Sequence, residues 1–135
     1  MGKGFQYSIL ASGSSGNSFY LETEKKKILV DAGLSGKKIT SLLAEIDRKP
    51  EDLDAIFVTH EHSDHITGIP VLSRKLKIPV FANRATAVHI SGCYAVEHFT
   101  TGENFWIGGL RINPFSIPHD ASDPVGFTVH AEGLK

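Results

Sequence analysis

Cysteine is almost missing from this sequence: Cys93 is the only one among 135 residues. An internal disulfide is excluded, and a reducing compartment, the cytoplasm, is the expected setting. Charge of one sign is lacking as well. Lys plus Arg number 14 and Asp plus Glu 15, a formal net charge of −1. No global basic field draws in nucleic acid, so any such substrate must be gripped by a local site. No apolar run approaches the ~18–20 residues of a membrane span, and the opening MGKGFQYSIL lacks the apolar stretch of a signal peptide. Internal repeats, low-complexity tracts, a Pro/Gly/Ser-rich linker and the phosphate-cradling G-x-x-x-x-G-K-[ST] motif are absent too. What remains is ordinary, 41% hydrophobic and 21% charged, the composition of one folded domain over 1–135.

Periodicity orders the chain. Residues 5–11, 18–23 and 28–31 read as strands, the last two forming a hairpin with a charged tip at Lys25, Lys26 and Lys27. Ser35 caps a helix whose apolar residues Ile39, Leu42, Leu43 and Ile46 fall on one face. Residues 55–59 (AIFVT) read as a buried strand, 60–65 as a loop, and 67–77 as a helix ending in basic residues. Residues 79–82 are a short strand and Asn83 caps the next segment. The rest is β-rich, with strands over 96–100, 104–107, 110–117 and 124–131 and a turn at Gly108-Gly109.

Three of the seven histidines fall within Thr59-His60-Glu61-His62-Ser63-Asp64-His65. In an extended stretch, side chains two apart point the same way, so His60 and His62 can face one ion. A turn at Ser63 brings Asp64 and His65 to a second position nearby. Neutral imidazoles suit Zn²⁺, and a carboxylate adds a hard oxygen. Four ligand-type residues in six positions exceed what one short segment can place tetrahedrally on one ion. Two adjacent metals sharing the loop is the economical reading. Asp31, closing the strand Ile28-Leu29-Val30, reads from its position alone as a strand-end turn residue.

This pattern resembles the metallo-β-lactamase-fold hydrolases, whose hallmark is T-H-x-H-x-D-H with a Gly three positions on, here Gly68. The resemblance implies that Asp31 braces the metal loop by hydrogen bonds without ligating. Pro118-His119-Asp120-Ala121-Ser122-Asp123-Pro124-Val125-Gly126-Phe127 is similar to the His-x(6)-Gly-aromatic element of the ribonuclease Z-like branch. By that match His119 joins His60 and His62 on the first metal. SILASGSSGNSFYLE, ILVDAGLSGKKI and HDASDPVGF resemble more narrowly the WalJ/YycJ-type subgroup, which is linked to exonuclease action on DNA.

The fold implied is α/β, a four-layer αβ/βα sandwich of which this chain is about the amino-terminal half. The activity implied is metal-dependent hydrolysis of phosphodiesters in DNA or RNA by an activated water. The metal ligands would be His60, His62, Asp64, His65 and His119, with Asp64 also orienting the nucleophile. Two Zn²⁺ per complete site are expected, with Mn²⁺ or Fe²⁺ as alternatives. The family's bridging Asp and late His have no match, since Asp120, Asp123 and Glu132 close no strand and His130 sits in a strand-like alternation. They are expected from a longer chain or a partner, and a half-sandwich is expected to self-associate through its bare face. The rival readings are a thioester, lactone or cyclic-phosphate hydrolase, and a metal-binding fragment without catalysis.

Other residues read as structural. Gly13 to Asn17 is a tight turn or a phosphate cradle, with Asn17 or Ser15 aimed at the site. Lys37 and Lys38 read as surface, Cys93 as a structural thiol, and His89 and His98 as lone surface or core histidines. Glu61 and Ser63 are the variable positions of the motif, and Phe105 with Trp106 belongs to the core.

Overall fold

A computed structural model describes residues 5–131; Glu132 and the first four residues of the opening segment lie outside them. Six strands form the first sheet in the order β1 (Gln6–Ala11), β2 (Ser18–Glu22), β3 (Lys27–Val30), β4 (Ala55–Phe57), β5 (Pro79–Ala82) and β6 (Ala95–His98). β1, β2 and β3 pair antiparallel. β3 through β6 then run parallel, with helical connections before β4, β5 and β6. The pairs Val30↔Phe57 and Phe57↔Phe81 put the carboxyl ends of β3, β4 and β5 along one edge. Such an edge is where open α/β sheets bind ligands.

Helices cover one face of this sheet. α1 (Gly36–Glu45) begins where Ser35 accepts a hydrogen bond from the Lys38 amide, and it buries Ile39 and Leu43. α3 (Ile69–Leu76) buries Ile69 and Leu72. These residues pack with Leu29, Ile56 and Val80 into one core. A three-stranded antiparallel sheet, β7 (Phe105–Ile107), β8 (Leu110–Ser116) and β9 (Val125–Ala131), covers the other face. Phe57 is the centre of that second core, with ring centroids 5.4, 5.6 and 5.3 Å from Phe81, Phe105 and Phe127. Such edge-on aromatic contacts add to the burial energy. The described residues thus build three layers of the four expected.

The structure departs from the sequence reading in three places. The segment 60–65 is not all loop: α2 (Ser63–Ile66) makes one helical turn before α3. A 3-10 turn, Pro50–Asp52, precedes β4. Trp106, expected in the core beside Phe105, is 57% exposed. Strand alternation explains it, since Phe105 and Ile107 point inward and leave Trp106 outward.

Leu43 gives the helix layer a direct test. It is fully buried on α1, so Leu43→Ala is expected to cost about 2–5 kcal/mol through lost burial and a residual cavity. Urea unfolding of the metal-free protein measures this. A loss under about 1 kcal/mol would mean that α1 is not seated as described.

Candidate metal centre

β4 ends at Phe57, and the chain bends at Thr59. Val58 donates to the Phe81 carbonyl and the Thr59 carbonyl accepts from Val125, so both sheets pin the start of the loop. From there His60, His62 and His119 converge: one ring nitrogen from each lies within 4.8 Å of the other two. His60 is buried, His62 half-buried and His119 exposed. Three nitrogen donors with one side open to solvent make a set of hydrolytic type.

Hydrogen bonding sets the face each ring presents. Asp31 is buried, in the left-handed region at φ 63, a conformation Asp tolerates better than most residues. Its Oδ1 accepts from the Thr59 amide at 2.8 Å, and its Oδ2 from the Thr59 hydroxyl at 2.6 Å. With its proton given to Asp31, the Thr59 oxygen accepts from His60 Nδ1, 2.9 Å away. His60 therefore carries its proton on Nδ1. Its Nε2 is left bare, buried and without a partner, as a metal ligand would be before loading. Asp31 Oδ2 also lies 2.7 Å from His65 Nδ1. A carboxylate only accepts, so His65 too holds a proton on Nδ1 and presents Nε2. One carboxylate thus orients two imidazoles, one directly and one through Thr59.

Ionisation follows from the same contacts. Burial, reinforced by the charge of protonated His65, lowers His60 to about 4. His60 is then neutral and ligand-ready at neutral pH. Burial pushes His65 down, but the hydrogen bond and charge of Asp31 outweigh it and its pKa is raised overall.

Asp64 and His65 sit beside the three-histidine set. His65's ring centroid is 3.9 Å from that of His60, and Asp64 Oδ2 is 3.8 Å from His65 Nε2. Asn17 steadies Asp64 by donating to its Oδ2 at 3.0 Å and to its carbonyl at 3.1 Å. The same Asn17 closes its own turn, accepting from the Gly13 amide and donating to the Gly13 carbonyl. The turn at 13–17 therefore serves to hold Asn17 against Asp64. Ser15 is exposed and takes no part in these bonds.

Two contacts were not legible beforehand. Glu61, between His60 and His62, accepts from both the amide and the hydroxyl of Ser122, at 2.9 and 2.8 Å. His89, expected to stand alone, lies 3.2 Å from that hydroxyl. Both residues are remote from Ser122 in sequence, so only the fold pairs them. Of the others set aside, His130 is an exposed strand residue opposite Arg111, His98 is exposed at the end of β6, and Cys93 packs half-buried against the helical core. Burial raises the Cys93 thiol pKa, which keeps it protonated and unreactive.

A sequence profile of the Metallo-beta-lactamase superfamily matches residues 11–134. The chain belongs to that superfamily. Within it, the chain is 58% identical to exodeoxyribonuclease WalJ of Streptococcus pneumoniae over 129 residues, which is 90% of this chain and 48% of that protein. It is 41% identical to exodeoxyribonuclease YycJ of Bacillus anthracis over 138 aligned residues, 98% of this chain and 52% of that protein. The chain spans about half the length of these curated relatives. Among solved structures, the Rm3 metallo-beta-lactamase superposes with a TM-score of 0.76 over 96% of this chain and 55% of its own, at 20% identity. That likeness shows the metallo-beta-lactamase fold alone. The fold implies a divalent metal, and the histidine cluster with its unpartnered His60 Nε2 fits one.

Proposed function

We propose that this protein is a metal-dependent nuclease, with His60, His62 and His119 holding the first divalent ion and Asp64 and His65 contributing to a second. The observation that carries this reading is the convergence of three imidazoles on one open point, in a chain 58% identical to an exodeoxyribonuclease. Zinc is the ion the donor set favours, since neutral imidazole suits it and the site imposes no octahedral oxygen cage. Such an ion supplies Lewis acidity and an activated water at neutral pH. The chain's own residues do the rest. Asp31 and Thr59 hold the imidazoles in the right tautomer, Asn17 fixes the Asp64 carboxylate, and Asp64 orients the attacking oxygen.

The substrate class proposed is the phosphodiester backbone of DNA, after the relatives named exodeoxyribonucleases. With no excess of positive charge in the composition, backbone recognition rests on the site itself and on residues beyond this chain. Residues 1–135 are read as one domain whose second metal position draws further ligands from a longer chain or a partner, in line with relatives about twice as long. Among the described residues no helix is long and apolar enough to cross a membrane; the cytoplasm is the proposed location.

The experiment is hydrolysis of end-labelled DNA, RNA and a chromogenic phosphodiester with Zn²⁺ or Mn²⁺ supplied. It compares the 135-residue chain, a version extended to the relatives' length, and that version with His62→Ala. The extended protein is expected to degrade DNA, and His62→Ala to lose at least about 100-fold, more than an outer-sphere change costs. The 135-residue chain should be feeble, since two ligands leave the second ion loosely held. Turnover of thioesters or lactones with no phosphodiester cleavage would overturn the reading, and equal activity of His62→Ala would overturn the ligand set.

A further inference from the structure

His119 has a weakness as a ligand that His60 does not share. It is exposed, and its side chain makes no hydrogen bond among the described residues; its neighbours are the rings of His60 and His62, 4.5 and 5.1 Å away. It rides on the 117–124 segment between β8 and β9. A long exposed connection held only at its ends would have to be ordered by each incoming ion, at a cost in binding free energy. Within the segment Ala121 donates to the His119 carbonyl and Ile117 to the Pro124 carbonyl; what ties it to the rest of the protein is a set of contacts three and four residues beyond the ligand. The Ser122 amide and hydroxyl both donate to Glu61 Oε2, and with the hydroxyl proton so used, His89 Nε2 donates to the hydroxyl oxygen. Asp123 is held next to it: its carbonyl accepts from Asn83 and its carboxylate from the Thr101 hydroxyl, each at 2.9 Å.

Glu61 is placed for this by the motif. Glu61 lies between the two proposed ligands, and its side chain reaches Ser122 on the opposite loop. Its side chain is only 14% exposed, and this half-buried carboxylate accepts from Ser122. A position that the motif leaves variable thereby ties the two-histidine loop to the one-histidine loop.

We propose that Glu61, Ser122 and His89 form a clasp that presets His119, making Glu61 a positioning residue for metal capture. The proposal rests on reading His60, His62 and His119 as a metal site. It predicts that Glu61→Ala weakens metal binding about 10–100-fold, the range seen when groups behind the ligands are removed. Glu61→Gln retains a carbonyl oxygen able to accept both Ser122 donors and should stay within about threefold of wild type. Ser122→Ala, which loses the hydroxyl bond but keeps the amide one, should fall between.

The test is Zn²⁺ affinity by competition with a chromogenic chelator, with amide hydrogen exchange over 117–124 in the metal-free protein as a second readout. Glu61→Ala should lose affinity and exchange faster across that segment. Wild-type affinity in Glu61→Ala overturns the clasp, as does Glu61→Gln losing as much as Glu61→Ala, since charge and not attachment would then matter. If Glu61→Ala fails to fold, Ser122→Ala decides, being an exposed position: unchanged affinity and exchange there overturn the proposal. His62→Ala separates the two readings. If it too binds Zn²⁺ like wild type, the metal site is wrongly assigned; if it alone loses binding, only the clasp fails.

Discussion

Asp31→Ala is expected to destabilise the protein by about 3–5 kcal/mol, the cost of breaking a buried charged hydrogen-bond network by removing one partner. Three donors lose their acceptor at once: the Thr59 amide, the Thr59 hydroxyl and His65 Nδ1. The alanine would also have to adopt φ 63, which costs roughly 1–2 kcal/mol for most L-residues. Asp31→Asn separates these contributions. Asn tolerates the left-handed region and its one oxygen can still accept from the Thr59 amide, but the nitrogen in place of Oδ2 leaves the Thr59 hydroxyl without its acceptor, so only part of the stability should return. Metal affinity should not return, because the amide nitrogen that replaces one oxygen cannot accept from His65 Nδ1. His65 would move its proton to Nε2 and turn a donor toward the site. Denaturant unfolding and metal titration of both variants check this, and an Asp31→Ala protein within about 1 kcal/mol of wild type would contradict the brace.

Gly33→Ala should be nearly as damaging, for a different reason. Gly33 has no left-handed backbone, but a methyl there would fall on the Asp64 carbonyl. The strap after β3 crosses the metal loop with almost no gap. Ala32 donates to the His65 carbonyl, Gly68 donates to the Ala32 carbonyl, and Gly33 donates to the Asn17 carbonyl. Backbone meeting backbone cannot repack as side chains do. We expect a loss of at least about 3 kcal/mol and, in whatever remains folded, weak metal binding. Gly36→Ala is the control. A methyl at this first residue of α1 would meet the Val71 side chain at 3.4 Å, so alanine there should be neutral or stabilise by up to about 1 kcal/mol. A Gly33→Ala protein that unfolds with the wild-type midpoint would show that the crossing is looser than described.

Asp31 and Gly68 also mark how far the sequence can be read. Asp31 was visible as a group at a strand end, and its tie to the metal loop followed only from family resemblance; the Thr59 relay needed coordinates. Gly68 was visible as a motif position, while its reason, a backbone crossing beneath Leu34, is spatial. The strands and α1 were legible because period-2 and period-3.6 patterns reflect which face is buried. The turn α2 was not, since four residues are too few to show a period. The role of Glu61 is not legible, because nothing local distinguishes a half-buried acceptor from a solvated carboxylate. Trp106 was misplaced because strand register decides which neighbour of Phe105 faces in, and composition is blind to register.

The separation of Glu61 from Ser122, 61 residues along the chain, bears on the order of events during folding. Joining points that far apart costs the unfolded chain roughly 3–4 kcal/mol in loop-closure entropy, so the pairing can persist only once both sheets have docked. On the proposed ligand set, an ion would therefore meet all three nitrogens only late. Metal uptake followed in time would report the completion of chain assembly, slower than the appearance of helix or strand signals. A chelator added to the finished protein would act in the reverse sense: it would loosen the 117–124 connection first and leave the six-stranded sheet standing.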